Sequence, residues 1–271
     1  MTPQLNQCWF AGGALLVAAA LAGGFWLGRR STGAARAGVG FAVFWMIGWA
    51  WLVQHPAVTL QMVPANVLSR VEGFGGVPAF MLMLGVVWSH AARVRQKVVV
   101  GWAAVFGVIY FVNGGLWLVQ DTPTAVMGHT ARHRMVLQSQ NYSCVPAACA
   151  TALNLLGVPS TEAQLAELTD VRPGTGATVV RAVAGLEARL GPRSHWSPSL
   201  MEVSADALDR VTPPALTALQ FEAGRRHMVV LLAVGPRGVL LLDPETGVQR
   251  YGRRRFAGLY RGQLIAFARR R

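Results

Sequence analysis

Apolar residues fill the first 120 positions of the chain in four long runs. The runs cover residues 8–27, 38–53, 74–92 and 98–119, and the charged residues of this region lie in the short segments between them. A helix needs about 20 apolar residues to cross the hydrocarbon core of a bilayer. No positive charge precedes the first run, so a cleavable signal is not indicated. The pattern predicts a transmembrane region over residues 1–120 with about four helices.

The pattern changes after a polar linker at residues 121–134. Three helices are predicted first, beginning at Cys144, Thr161 and Thr178, and the second opens with the capping-box sequence Thr-Glu-Ala-Gln. Short β-type runs follow at residues 215–221, 227–234, 239–242 and 263–267, with Gly and Pro turns between them. Helices followed by an antiparallel sheet predict an α+β domain over residues 135–271.

The composition supports a membrane protein and argues against nucleic-acid binding. Hydrophobic residues make up 53% of the chain and charged residues 14%, a balance too apolar for two soluble domains. The net charge is +13, but the basic residues form no dense stripe with interleaved aromatic residues. The partner expected from composition is therefore a lipid bilayer and not a nucleic acid.

Six of the seven basic residues of the membrane region lie in two alternate loops, and the middle loop has only Arg70. Arg29, Arg30 and Arg36 separate the first two runs, and Arg93, Arg95 and Lys97 separate the last two. Cytoplasmic loops are enriched in Lys and Arg, so both loops are expected in the cytoplasm. With four crossings, residues 121–271 then lie outside the cytoplasm. This orientation fails if one run does not cross, and the second run is the shortest.

A thiol acyl-transfer site is indicated in the second domain. Cys144 lies at a helix start, where unpaired backbone amides and the helix dipole favour a thiolate. His227 begins a strand and can take and return the thiol proton, while Asp243 can orient its imidazole. Gln138 lies six residues before the cysteine and can donate to an oxyanion together with the backbone N–H of Cys144.

A predicted hairpin brings His227 and Asp243 together. Sixteen positions separate the two residues. A turn near Gly235 and Pro236 places them opposite one another on paired strands.

The other candidate cysteine and histidine sites have simpler interpretations. On one helix, Cys144 and Cys149 have Cα atoms about 8–9 Å apart, which is too far for a disulfide. Cys149 is therefore a predicted core residue. His129 and His133 have an i, i+4 spacing, but no third ligand lies nearby. No metal ion or cofactor is expected.

The second half of the chain resembles the C39 peptidases, a family of papain-like cysteine proteases often fused to peptide exporters. The resemblance covers residues 135–270. It is carried by Gln138 before Cys144 and its Pro-Ala-Ala helix, Gly174-Thr-Gly-Ala-Thr178, His227-Met-Val-Val230, Asp243-Pro244 with Gly247, and Tyr260-Arg-Gly262. It implies Cys144 as the nucleophile, His227 as the general base, Asp243 as its orienting acid and Gln138 as the oxyanion donor.

The chain departs from the family pattern in three ways. Val145 follows the cysteine where many members have glycine, the peptidase follows the membrane region, and the single lysine, Lys97, lies in no phosphate-binding loop. We therefore expect a membrane-anchored cysteine peptidase with a peptide or protein substrate. Two alternatives remain: a non-catalytic peptide-binding module that acts with a separate transporter or other membrane partner, and a transpeptidase or acyltransferase that uses the same triad.

Overall fold

The structure is a computed structural model that describes residues 3–119, 134–221 and 226–270. The chain divides into two compact units. The first comprises residues 1–121 without 64–66, and the second comprises residues 64–66 and 122–271. The predicted linker at 121–134, with His129 and His133, lies outside the described residues except for Arg134.

The first unit is helical. Its helices are α1 (Pro3–Arg30), α2 (Thr32–Gln54), α3 (Pro56–Met62), α4 (Ala65–Val71), α5 (Val77–His90) and α6 (Val94–Gly115), with a 3-10 turn at Leu116–Leu118. Among the described residues, three segments are long and apolar enough to cross a membrane: Asn6–Arg30 within α1, α2 and α6. Large apolar side chains cover their surfaces, with Phe44 76% exposed and Val99 68% exposed. Such a surface suits lipid rather than water.

The third predicted span, residues 74–92, does not form a helix of membrane-spanning length. Turns occupy residues 72–76, and α5 begins only at Val77, with Pro78 in its first turn. The helix has 14 residues, which is about 21 Å, whereas the hydrocarbon core is about 30 Å thick. The structure therefore describes three helices of membrane-spanning length, and not the four that were predicted. The run that does not form a helix of spanning length is the third, and not the second.

Glycines let α1 and α5 pack with their backbones in contact. A Cβ atom at Gly24 would lie 2.0 Å from the Leu82 carbonyl oxygen, and one at Gly85 would lie 2.2 Å from the Leu21 carbonyl oxygen. Gly24 and Gly28 have the four-residue spacing that allows close approach of membrane helices. This packing requires residues without a side chain, that is glycines, on both helices.

The four longest helices alternate in direction. Gly24 approaches Leu82 and Gly28 approaches Ser89, so α1 and α5 run in the same direction. Helices α2 and α6 run opposite to α5. For α2, the direction follows from two contacts, Gly38 with Val86 and Trp49 with Gly75. For α6, it follows from the contacts of Gly101 with Trp88 and of Gly107 with Met81. The two basic loops, at residues 29–36 and 93–97, therefore lie at the same end of the unit.

The second unit has the predicted α+β architecture. Its helices are α7 (Cys144–Leu155), α8 (Glu162–Leu168), α9 (Val179–Leu190) and α10 (Arg253–Leu259), and a 3-10 helix covers Ala205–Arg210. Its strands are β1 (Trp196–Glu202), β2 (Ala215–Gln220), β3 (Arg226–Gly235), β4 (Gly238–Asp243), β5 (Gly247–Tyr251) and β6 (Tyr260–Arg269). They form one antiparallel sheet in the order β1-β6-β2-β3-β4-β5.

Helix α7 is the central helix of this unit. Every residue from Val145 to Leu153 is buried, and the helix packs against β2, β3, α8 and α9. Its first residue is thereby held beside the sheet. Sequence periodicity predicts one buried face for this helix, but in the structure other elements pack against it on all sides. Close packing on every side explains why the helix is rich in small residues.

The predicted helix starts and the four predicted strands are confirmed. The Thr161 hydroxyl accepts from the Gln164 N–H at 3.2 Å, and the Thr178 hydroxyl accepts from the Arg181 N–H at 3.2 Å. Strands β1 and β5 and helix α10 were not predicted. Strand β1 contains Pro198, which pairs with Phe267. Proline has no N–H to donate, and the edge of a sheet is where a strand tolerates it.

Replacement of Gly24 by alanine should weaken the helical unit. The new methyl group would meet the backbone of Leu82, and overpacking of this kind costs about 1–3 kcal/mol. The neighbouring Gly23→Ala variant is the control, because nothing lies within 4 Å of a Cβ atom there. Thermal unfolding of the full chain in detergent should show a lower midpoint for Gly24→Ala only. Equal midpoints would contradict the close packing of α1 and α5.

Candidate active site

Cys144 is the first residue of α7 and is partly exposed. Its thiol is free, whereas Cys149, also free, is fully buried in the core as predicted. Burial raises the pKa of the Cys149 thiol, which keeps that thiol protonated and unreactive. The first turn of a helix has unpaired N–H groups, so negative charge on the Cys144 sulfur is favoured there.

His227 and Asp243 form a buried hydrogen bond. His227 Nε2 lies 2.7 Å from Asp243 Oδ1, and the two residues are 4% and 6% exposed. Val230 pairs with Leu242, so the register places Asp243 level with Val229 rather than with His227. The two side chains are diagonal neighbours on one face of the β3–β4 hairpin, not directly opposite as predicted. Long side chains reach each other across that diagonal.

The turn after β4 holds the Asp243 carboxylate in place. Oδ1 also accepts the backbone N–H groups of Glu245 at 2.8 Å and Thr246 at 3.3 Å. Burial raises the pKa of this carboxyl, but the hydrogen bonds from His227 and Glu245 outweigh burial and hold the pKa below its usual 3.8. A fixed anion therefore faces Nε2 of the imidazole.

Cys144 also interacts with the His227 imidazole. Burial lowers the pKa of the imidazole, but the hydrogen bonding and electrostatic attraction from Asp243 and Cys144 outweigh burial and raise the pKa to about 9. Since Nε2 is engaged by Asp243, Nδ1 is the nitrogen available to the sulfur. Phe221 lies beside the imidazole, with ring centroids 6.2 Å apart. The raised pKa favours the protonated imidazolium at neutral pH, beside the Asp243 carboxylate.

Gln138 lies beside the turn that follows Asp243. Its backbone N–H donates to the Pro244 carbonyl at 2.8 Å. Its side-chain oxygen Oε1 is buried without a hydrogen-bond partner among the described residues. The structure thus brings the segment that carries Gln138 to the Asp243 turn, with the side-chain oxygen unpaired among the described residues.

One buried charge near the site was missed by sequence reasoning. Glu162, the first residue of α8, is fully buried, and its carboxylate oxygens lie 3.0 Å and 3.2 Å from the Ser139 backbone N–H. The capping-box sequence marks Thr161 and Gln164 and gives no sign that Glu162 points inward. Within the described ranges, no group of three His, Cys, Asp or Glu residues has a metal-binding arrangement.

Residues 132–271 match the model of the Peptidase C39 family. Uncharacterized proteins of Methanothermobacter marburgensis and Methanothermobacter thermautotrophicus are each 34% identical over 139 residues, which is 50% of this chain and 88% of each relative.

Two solved peptidase structures each align with about half of the chain. The peptidase domain of Streptococcus ComA, a bi-functional ABC transporter involved in a quorum sensing pathway, aligns with 20% identity and a TM-score of 0.46, over 51% of this chain and 100% of that domain. A double glycine motif protease from an AMS/PCAT transporter, in complex with the leader peptide, aligns with 16% identity and a TM-score of 0.42, over 53% and 99%.

The raised pKa of His227 predicts a loss of stability at alkaline pH. Between pH 6.5 and about 9 the folded protein keeps a proton that the unfolded chain releases. The contribution is therefore complete below pH 6.5 and is lost as the pH rises through about 9. Denaturant unfolding of the full chain, followed by tryptophan fluorescence, should show a steeper fall over this interval for wild type than for His227→Gln. Parallel curves for the two proteins would contradict the raised pKa.

Proposed function

The chain belongs to the Peptidase C39 family, and from this membership and the contacts of His227 we propose that it is a membrane-anchored cysteine peptidase. Its substrates are peptides or proteins that reach it at the membrane. The observation that carries the proposal is the placement of one buried imidazole between the Asp243 carboxylate and the Cys144 sulfur.

The proposed reaction begins with attack by the Cys144 thiolate on a peptide carbonyl carbon. The C–S bond forms, and the carbonyl electron pair moves to oxygen. As the first residue of α7, Cys144 has a backbone N–H that the helix leaves unpaired, and this N–H and the Gln138 amide are the proposed donors to the oxyanion. Tetrahedral charge is stabilised by donors of this kind by about 3–4 kcal/mol each.

His227 then moves the protons of the reaction. The imidazolium donates through Nδ1 to the leaving amine as the C–N bond breaks, which leaves an acyl-enzyme on Cys144. The neutral imidazole next takes a proton from water, whose oxygen attacks the thioester carbonyl and releases the acid. Asp243 keeps Nε2 engaged throughout, so Nδ1 stays directed at the sulfur.

Replacement of Cys144 by alanine should abolish both iodoacetamide labelling and peptide cleavage, because the sulfur is the nucleophile. Cys149→Ala is the matched control, since that thiol is buried on the same helix and takes no part. Labelling is read by mass spectrometry of the intact chain in a Cys8→Ser background, and cleavage with a library of fluorogenic peptides.

The same assay separates the alternatives. Cleavage that persists in Cys144→Ala would reject the assigned nucleophile. A wild-type protein that binds peptides without cutting them would identify a binding module, and products joined to an added amine would identify an acyltransferase.

We infer that the peptidase unit lies outside the cytoplasm. The basic loops at residues 29–36 and 93–97 share one end of the helical unit, and the positive-inside rule assigns that end to the cytoplasm. Helix α6 begins at this basic end and has membrane-spanning length. The residues that follow α6 therefore leave the membrane at the opposite face. This inference uses helix direction and does not need α5 to span the bilayer alone.

A cysteine introduced at Thr122 should react with an impermeant maleimide added to intact cells. Gly33→Cys is the control for the basic end, because it lies in the first turn of α2, where a Cβ atom meets only the Ser31 hydroxyl at 3.9 Å. Both changes are made in a Cys8→Ser, Cys144→Ala background. Labelling of Gly33→Cys and protection of Thr122→Cys would reverse the orientation.

A further inference from the structure

Glu162 has a buried side chain that accepts a hydrogen bond from one peptide N–H group, that of Ser139. It is 0% exposed, and its oxygens Oε1 and Oε2 lie 3.0 Å and 3.2 Å from the Ser139 nitrogen. A buried carboxylate is costly unless hydrogen bonds and favourable dipoles compensate it. The start of α8 supplies such a dipole, and the cap formed by Thr161 and Gln164 already satisfies that helix start without Glu162.

The segment that carries Gln138 is fixed at points on both sides of that residue. Upstream, the Val136 N–H donates to the Thr151 hydroxyl of α7 at 2.9 Å. Downstream, the Gln140 N–H donates to the Ser143 hydroxyl at 3.1 Å, immediately before Cys144. We call residues 136–143 the strap. Between these points, the peptide N–H groups on either side of the Gln138 Cα atom, those of Gln138 and Ser139, both have partners.

Those two N–H groups bind different elements of the fold. The Gln138 N–H donates to Pro244 beside Asp243 at 2.8 Å, and the next N–H along the strap, from Ser139, donates to Glu162. Two consecutive peptide planes fixed in this way define the backbone dihedrals of Gln138, and hence the direction of its Cα–Cβ bond. Loss of the Glu162 carboxylate removes one of the contacts that hold the second plane.

We propose that Glu162 is a positioning residue that aims the Gln138 amide at the oxyanion through the Ser139 N–H. The proposal rests on the proposed function, in which Gln138 is an oxyanion donor. An oxyanion donor works only when it is held at hydrogen-bond distance from the developing charge, and a displacement of about 1 Å can cost about 100-fold in rate. Glu162 touches neither the substrate nor the sulfur.

The expected signature is a selective loss of turnover. In Glu162→Ala, kcat should fall about 10- to 100-fold with KM unchanged. The affinity for a peptide aldehyde should fall by the same factor, because its adduct with Cys144 presents an oxygen to the same donors. The rate of iodoacetamide alkylation of Cys144 should stay within about twofold of wild type, because Glu162 contacts neither Cys144 nor His227 and the other anchors of the strap, at Ser143 and Pro244, remain.

Three further variants make the test specific. Glu162→Gln keeps an acceptor oxygen of the same reach and should restore most of the lost kcat. Glu162→Asp keeps the charge at the helix start but is one methylene too short for Ser139, so it should behave like Glu162→Ala and also serves if the alanine variant does not fold. Gln164→Ala removes the reciprocal cap of α8 and leaves Glu162 in place, so kcat should not change.

The experiment uses the full chain in detergent and a fluorogenic peptide that wild type cleaves. Gln138→Ala and the double variant Gln138→Ala/Glu162→Ala should turn over at the same rate, because Glu162 acts only through Gln138. Additive losses, a full kcat in Glu162→Asp, or a parallel loss of alkylation would overturn the proposal. Wild type that cleaves no peptide, or Cys144→Ala that still does, would instead refute the proposed function.

Discussion

The hydrogen bond from His227 to Asp243 is the constraint on which the rest of the site depends. It occupies Nε2, so only Nδ1 faces Cys144, and it helps to hold the imidazole in its cationic form. The Asp243 carboxylate is itself fixed by two backbone N–H groups of the following turn. One proton-carrying ring is therefore oriented by the sheet, while the sulfur that it faces is placed by a helix.

Two parts of the chain far apart in sequence converge on this bond. The turn after β4 supplies Asp243 and also the Pro244 carbonyl that anchors Gln138. Helix α7 supplies Cys144, and the burial of the next nine residues, Val145–Leu153, leaves the start of the helix little freedom to move. The charges of the site are thus held by backbone groups of packed elements, the preorganisation that acyl transfer requires.

The sequence predicts the elements whose signals are local. The Thr161 and Thr178 caps, the strands beside the Gly235–Gly238 turn and the position of Cys144 follow from short patterns, and the order of the four site residues matches a family. Features that depend on residues distant in the sequence cannot be predicted from such short patterns. Strand β1 is defined by β6, some 65 positions later, α5 is shortened by the glycine turn before it, and Glu162 turns inward toward a strap that the cap motif does not mention.

The protonation state of His227 tests the central claim most directly. The chain has six histidines. In NMR spectra of the full chain labelled with ¹⁵N-histidine, the signal that is missing from the His227→Gln variant belongs to His227. We predict that both ring nitrogens carry protons at pH 7.5, with one proton shifted far downfield by Asp243, and that the second proton is lost near pH 9. A neutral imidazole at pH 7.5 that titrates near 6.5 would contradict the account.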